Sequence, residues 1–187
     1  ISTFQPRGTD VPVVLDLMIH DIDLILSFVH SPVTDIKASG VGIFTPTIDI
    51  ANARIEFANG AVANVTSSRV SLKQERILRF FQRDAYMKMD FLTKQVQVIK
   101  KRANIQAVLY QILEGANNIK PEQLVDIQNY DVSELGKDAL TLELESFIDC
   151  IKNNKKPIVD GEAGTRALEI ATMIINQIQT QNSKINL

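Results

Sequence analysis

The residues best suited to chemistry lie close together in one apolar stretch, residues 11–29. Asp16 and His20 are four positions apart, a spacing that places two side chains on the same face of an α-helix. Histidine changes charge near neutral pH, and a carboxylate one turn away can orient the imidazole and tune its basicity. The pair therefore predicts a proton-transfer site. For Asp21 and Asp23 we expect solvent exposure, capping or pairing with arginine.

The same spacing could instead supply two ligands to a metal ion. A closed site needs further ligands, and His30, the only other histidine, lies ten residues beyond His20, where the helix is expected to end. The spacing gives no complete ligand set, and we predict no metal site.

Helices are predicted at both ends of the chain. Residues 11–29 are apolar almost all round, which indicates a buried helix. A second group of apolar residues recurs at helical spacing near the carboxyl end, followed by a last helix over about residues 167–178. The second group comprises Leu140, Leu144, Phe147, Ile148 and Ile151.

The middle of the chain is predicted to form strands. Residues 50–57 alternate, with Ala51, Ala53, Ile55 and Phe57 on one face. Asn59-Gly60 then predicts a type I′ hairpin turn. Residues 101–132 indicate a loop or short helix followed by a strand. The predicted strands cover residues 36–44, 50–57, 61–70, 76–82, 86–91, 95–99 and, less regularly, 124–128.

This order of elements predicts an α+β fold. We expect an antiparallel-rich open sheet of about six strands, with helices packed on one face. The other face would display Val96, Val98, Ile77 and Phe81, depending on register, and would be available for oligomerisation.

The composition narrows the class of protein. A length of 187 residues suits one domain, and 45% hydrophobic with 22% charged residues is typical of globular proteins. A net charge of −2 argues against a nucleic-acid or basic membrane-binding surface. No uninterrupted run of apolar residues is long enough to cross a membrane. The single cysteine, Cys150, fits a reducing compartment, and we expect a cytoplasmic protein.

Three stretches together resemble the glucose–fructose oxidoreductase / inositol dehydrogenase (Gfo/Idh/MocA) family: VVLDLMIHDIDLIL, ARIEFANGAVANVTSSR and LESFIDCIKNNKKPIVDGEAGTRALEIATMI. The resemblance covers nearly the whole chain and points to the C-terminal, substrate-binding domain of these two-domain enzymes. Residues 1–187 are therefore expected to form a single domain. The versions VPVVLDLMIHDIDL and SSRVSLK are most similar to a branch acting on nucleotide sugars, of the UDP-N-acetylglucosamine 3-dehydrogenase kind.

In this family a Rossmann domain that binds NAD or NADP precedes the segment seen here, together with a catalytic lysine. This chain has one Gly-x-Gly, at Gly40 and Gly42, with Thr45 at the position of the third glycine and no βαβ unit around it. The first residue is Ile1, so we expect a piece of a longer protein. The resemblance thus implies that the cofactor-binding residues lie outside this chain, which should be inactive alone.

For the longer protein, the resemblance implies oxidation of a hydroxyl of a sugar, polyol or nucleotide sugar. It assigns the proton-transfer roles to His20 and Asp16. Arg7 and Arg69 are candidate contacts to sugar or diphosphate oxygens, with surface ion pairing as the alternative. The family tends to associate through the open sheet face, so a homodimer or homotetramer is expected. The alternative function is a domain of the same shape that only binds a carbohydrate or a protein partner.

Overall fold

The computed structural model describes residues 1–6, 8–115, 120–133 and 138–184. The chain divides into two compact units: Ile1–Gln74 with Leu142–Leu187, and Glu75–Thr141. Each unit contains one antiparallel sheet. The predicted α+β class and antiparallel pairing are therefore confirmed.

The first unit contains a three-stranded sheet in the order β1-β2-β3. Its strands are β1 (Val33–Val41), β2 (Ile50–Phe57) and β3 (Val62–Ser68). The alternation predicted for β2 is confirmed, because the predicted inner residues are buried while Asn52 and Arg54 are exposed. The buried set is Ala51, Ala53, Ile55 and Phe57.

Helices supply the other half of this core. A π-helix (Val14–Met18) runs directly into α1 (Ile19–Phe28), and the last helix, α5, spans Gly161–Lys184. Their buried residues form one hydrophobic cluster with those of β2. Burial of apolar surface in this cluster stabilises the fold by about 25 cal/mol per Å². The helical members include Val14, Met18, Ile22, Ile174 and Ile178, each 0% exposed.

The helix expected over residues 11–29 is thus two kinds of helix rather than one. The Ile19 amide donates a hydrogen bond to the Val14 carbonyl, five residues back, instead of the four of an α-helix. Such wider turns are rare in proteins, and a large share of them lie at functional sites. Asp16 lies inside the π-helix and His20 in the first turn of α1.

The β2–β3 hairpin is confirmed, but its predicted turn type is wrong. The strands pair from Ile50 opposite Ser68 to Glu56 opposite Val62. Gly60 has a φ of 85°, whereas Asn59 is not among the residues with positive φ. A type I′ turn needs positive φ at both central residues, so the hairpin uses a longer loop with a single left-handed glycine.

The second unit contains a four-stranded sheet in the order β4-β5-β6-β7. The described residues thus hold seven strands in two sheets, where one sheet of about six was expected. Residues 69–76, between β3 and β4, form no strand, and β3 and β4 are not paired with each other. The unit comprises β4 (Ile77–Phe81), β5 (Ala85–Asp90), β6 (Gln95–Lys101), α2 (Ile105–Leu113), α3 (Pro121–Leu124) and β7 (Val125–Asp131).

The register of this second sheet corrects one predicted grouping. Ile77 and Phe81 lie on the face opposite to Val96 and Val98, because Leu78, not Ile77, aligns through Met89 with Val96. One face is consequently apolar. We call it the apolar face, and it carries Leu78, Phe80, Met87, Met89, Val96 and Val98.

The remaining helix, α4 (Ala139–Lys152), has the predicted apolar spacing but leaves that stripe exposed. Phe147, for example, is 55% exposed. The stripe comprises Leu140, Leu144, Phe147, Ile148 and Ile151. Among the described residues, no helix has the length and apolarity needed to cross a membrane.

Two glycines give a matched test of this packing. A Cβ at Gly40 in β1 would lie 2.8 Å from the Ile50 carbonyl oxygen and 3.1 Å from Ile178 Cδ1, whereas a Cβ at Gly164 in α5 would meet no atom within 4 Å. We predict that Gly40→Ala lowers the free energy of unfolding by about 1–3 kcal/mol through overpacking. Gly164→Ala should raise it by up to about 1 kcal/mol, because alanine favours helix. Urea unfolding of both variants measures the difference. Equal stability of the two would contradict the packing described.

Candidate active site

Asp16 and His20 are both exposed, on a helical segment whose other side is in the core. Met18 and Ile22, next to them in sequence, are 0% exposed and fix the rotation of the segment. Among the described residues, no hydrogen bond or ion pair involves either side chain. The structure therefore places both groups on a surface that a substrate can reach. Their roles in proton transfer stay a prediction.

Arg69 follows β3 and is only 4% exposed. Its Nη1 donates to the Gly8 carbonyl at 2.9 Å, and its Nη2 donates to the Val11 carbonyl. Its Nε lies 3.7 Å from Oδ1 of Asp49, and has no hydrogen-bond acceptor among the described atoms. The alternative of a surface ion pair is wrong, because the pair is buried. The predicted contact of Arg69 with substrate stays a prediction.

Asp49, which the sequence analysis did not single out, is 0% exposed. Its Oδ2 accepts hydrogen bonds from the amides of Ile43, Phe44 and Thr45 at 2.7–3.0 Å, and its Oδ1 accepts one from Thr45 Oγ1 at 2.8 Å. Burial raises the pKa of the Asp49 carboxyl. The hydrogen-bond donors together lower this pKa by a larger amount, so the net pKa is below the usual aspartate value. Asp49 is thus a buried carboxylate with a full set of donors.

A signal for Asp49 was present in the sequence. An aspartate between Ile48 and Ile50, at the start of a strand with an apolar inner face, has to be buried with partners or turned outward. Nothing local distinguishes those two outcomes. Of the other predicted site residues, Arg7 lies outside the described residues, and Asp21 and Asp23 are half-buried.

A family model described as the C-terminal alpha/beta domain of the oxidoreductase family, named for Gfo, Idh and MocA, matches residues 5–187. The chain belongs to this family.

Known relatives extend the family match. A UDP-N-acetylglucosamine 3-dehydrogenase from Acidithiobacillus ferrooxidans is 33% identical over 174 residues, covering 93% of this chain and 51% of that protein. A solved structure of the UDP-N-acetylglucosamine 3-dehydrogenase GnnA from the same organism is also similar to this chain. The TM-score is 0.80 at 31% identity, and the match covers 96% of this chain and 52% of the GnnA chain. This chain thus spans about half the length of these relatives.

A more distant structure shares the fold alone. A levoglucosan dehydrogenase solved in complex with NADH matches with a TM-score of 0.68 at 14% identity, covering 95% of this chain and 55% of its own. Such a low identity supports no further comparison of the two sites.

The Gly-x-Gly of this Gfo/Idh/MocA domain does not fit the pyrophosphate of a dinucleotide cofactor. Gly40 lies within an antiparallel strand, and the space where its Cβ would be is filled by Ile48, Ile50 and Ile178. A pyrophosphate needs a glycine-rich turn that opens onto a helix amino terminus. The Gly-x-Gly at Gly40 and Gly42 therefore serves packing in this fold.

Proposed function

We propose that this chain is the substrate-binding and oligomerisation domain of an NAD(P)-dependent dehydrogenase that oxidises a hydroxyl of a sugar, polyol or nucleotide sugar. The observation that carries the proposal is the exposed Asp16 and His20 on a partly π-helical segment of a Gfo/Idh/MocA domain. A nucleotide sugar is the favoured substrate, because a relative 33% identical is named as an enzyme acting on UDP-N-acetylglucosamine.

The two side chains suit the proton half of such an oxidation. When a secondary alcohol becomes a ketone, its hydroxyl proton needs an acceptor, and the exposed imidazole of His20 can serve as that acceptor. The Asp16 carboxylate, one turn before, would favour the imidazolium that results and fix the orientation of the ring. Arg7 is proposed to bind sugar or diphosphate oxygens through its guanidinium fork.

The hydride half is assigned to a cofactor outside this chain. NAD or NADP would be held by an amino-terminal Rossmann domain of a longer parent protein, which accords with a chain that spans half of its relatives. The exposed stripe of α4 supports a larger parent, because apolar patches of this kind mark contact surfaces. The free thiol of Cys150 accords with a cytoplasmic location.

The catalytic part is tested with the full-length parent, UDP-N-acetylglucosamine and NAD or NADP. His20→Ala should lower kcat by about 10²-fold or more, because a general base contributes at least that much. His30→Ala is the matched control, since His30 is also exposed and lies just beyond the same helix. Equal turnover in the parent and in His20→Ala would reject the catalytic role and favour a domain that only binds.

The oligomerisation part concerns the apolar face of the second sheet, which we propose joins copies of the parent in a homodimer or homotetramer. Val96 and Gln97 are neighbours on β6 that point to opposite faces. Val96→Glu should shift the parent to a smaller species in sedimentation velocity, because it places a charge in the contact. Gln97→Glu should leave the species unchanged, because Gln97 lies opposite Lys88 and Asn129. A parent that is already monomeric at tens of micromolar would overturn this part.

A further inference from the structure

We propose that Arg69 and Asp49 form a positioning pair, which holds the segment leading into the π-helix and thereby sets where Asp16 and His20 stand. This inference rests on the proposed function, since it concerns the same two side chains. In this proposal Arg69 acts through the main chain, which replaces the substrate contact predicted for it from the sequence.

The guanidinium of Arg69 reaches the segment directly. Its two terminal nitrogens bind the carbonyl groups of Gly8 and Val11, and Val11 lies five residues before Asp16. Both bonds are part-buried and come from a guanidinium that is 4% exposed, and a charged donor makes each of them stronger than a neutral hydrogen bond. Arg69 itself is fixed, because its amide donates to the Asp49 carbonyl at 3.1 Å, extending the β2–β3 ladder by one step.

Asp49 holds the same segment from the other side. Its carboxylate orders the loop of residues 43–45 before β2. Residues 47 and 48, which follow this loop and precede Asp49, then bind the leading segment twice. Thr47 Oγ1 donates to the Thr9 carbonyl at 3.1 Å, and the Val13 amide donates to the Ile48 carbonyl at 2.8 Å.

The four contacts together leave the chain little freedom just before the π-helix. Gly8, Thr9, Val11 and Val13 are each tied to the pair or to the loop that Asp49 orders. The π-helix starts at Val14, so a shift in this segment moves the helix directly. A displacement of about 1 Å at a reacting group can cost about 10²-fold in rate.

The test uses the full-length parent with Arg69→Met and Arg69→Lys, assayed with UDP-N-acetylglucosamine and NAD or NADP below the melting temperature of each variant. Arg69→Met should lower kcat by about 10²-fold with KM nearly unchanged, since the lost term is orientation and not ground-state binding. Arg69→Lys should recover part of kcat, because one ammonium keeps the charge but cannot span both carbonyl groups. Arg54→Met is the control, which removes an exposed ion pair with Glu56 from the same sheet.

Amide hydrogen exchange of the same variants provides a second measurement that needs no activity. In Arg69→Met, exchange should increase more in residues 8–20 than across β2 and α5, where any increase reflects only the lower global stability. If only KM rises, Arg69 contacts the substrate, and the proposal is overturned. It is also overturned if exchange increases by the same factor everywhere, if it increases nowhere, or if kcat is unchanged.

The two proposals fail in different ways. Normal turnover in His20→Ala would remove the proposed function. The exchange pattern of Arg69→Met would still decide whether the pair holds the leading segment. Should Arg69→Met fail to fold, the double variant Arg69→Met/Asp49→Asn removes both charges and avoids leaving a lone buried carboxylate. Exchange in residues 8–20 is then read from that variant.

Discussion

A buried guanidinium has to find acceptors, and in this domain it finds them in the segment that leads to Asp16 and His20. Removing one partner of a buried ion pair costs roughly 3–5 kcal/mol, because the other charge stays in the interior. Arg69 and Asp49 therefore cannot relax independently. The Gly8 and Val11 carbonyl groups accept from the two terminal nitrogens of the guanidinium, while the loop amides donate to the carboxylate. One electrostatic requirement thus fixes two loops and the start of the helix between them.

The apolar core imposes the second constraint on the same helix. Val14, Met18 and Ile22 are fully buried, so they determine which way the segment faces. In a regular α-helix, the rotation of the helix about its own axis would have to suit both the preceding loop and this core. The π-helical turn spans five residues per hydrogen bond instead of four, which changes the rotation of the residues that follow it. The exposed positions of Asp16 and His20 follow from these two demands.

Much of this architecture could be predicted from the sequence, because its signals are local. The period-2 alternation of β2 predicted which residues are buried, and Asn59-Gly60 predicted a hairpin. Helical periodicity predicted α5, whose apolar side includes Ile174 and Ile178. Each of these patterns is set by residues close together in the chain, so it can be recognised without knowledge of the fold.

The rest depends on non-local contacts. The sequence between β3 and β4 does not show whether these two strands pair, and in the structure they belong to separate sheets. The stripe on α4 has the right spacing for burial, but spacing does not show which surface covers it. The burial of Asp49 depends on three amides that only the folded loop aligns. Arg69 looked equally suited to a ligand, since a guanidinium fork fits main-chain carbonyls and phosphates alike.

The central claim is that His20 accepts the substrate proton, and the pH dependence of kcat/KM for alcohol oxidation by the full-length parent tests it most directly. A protonated imidazole cannot act as a base, so kcat/KM should fall as the pH is lowered, with a limiting logarithmic slope of about one. In His20→Gln that acid limb should be absent from the residual activity. An acid limb of the same shape in His20→Gln and in the parent would contradict the account.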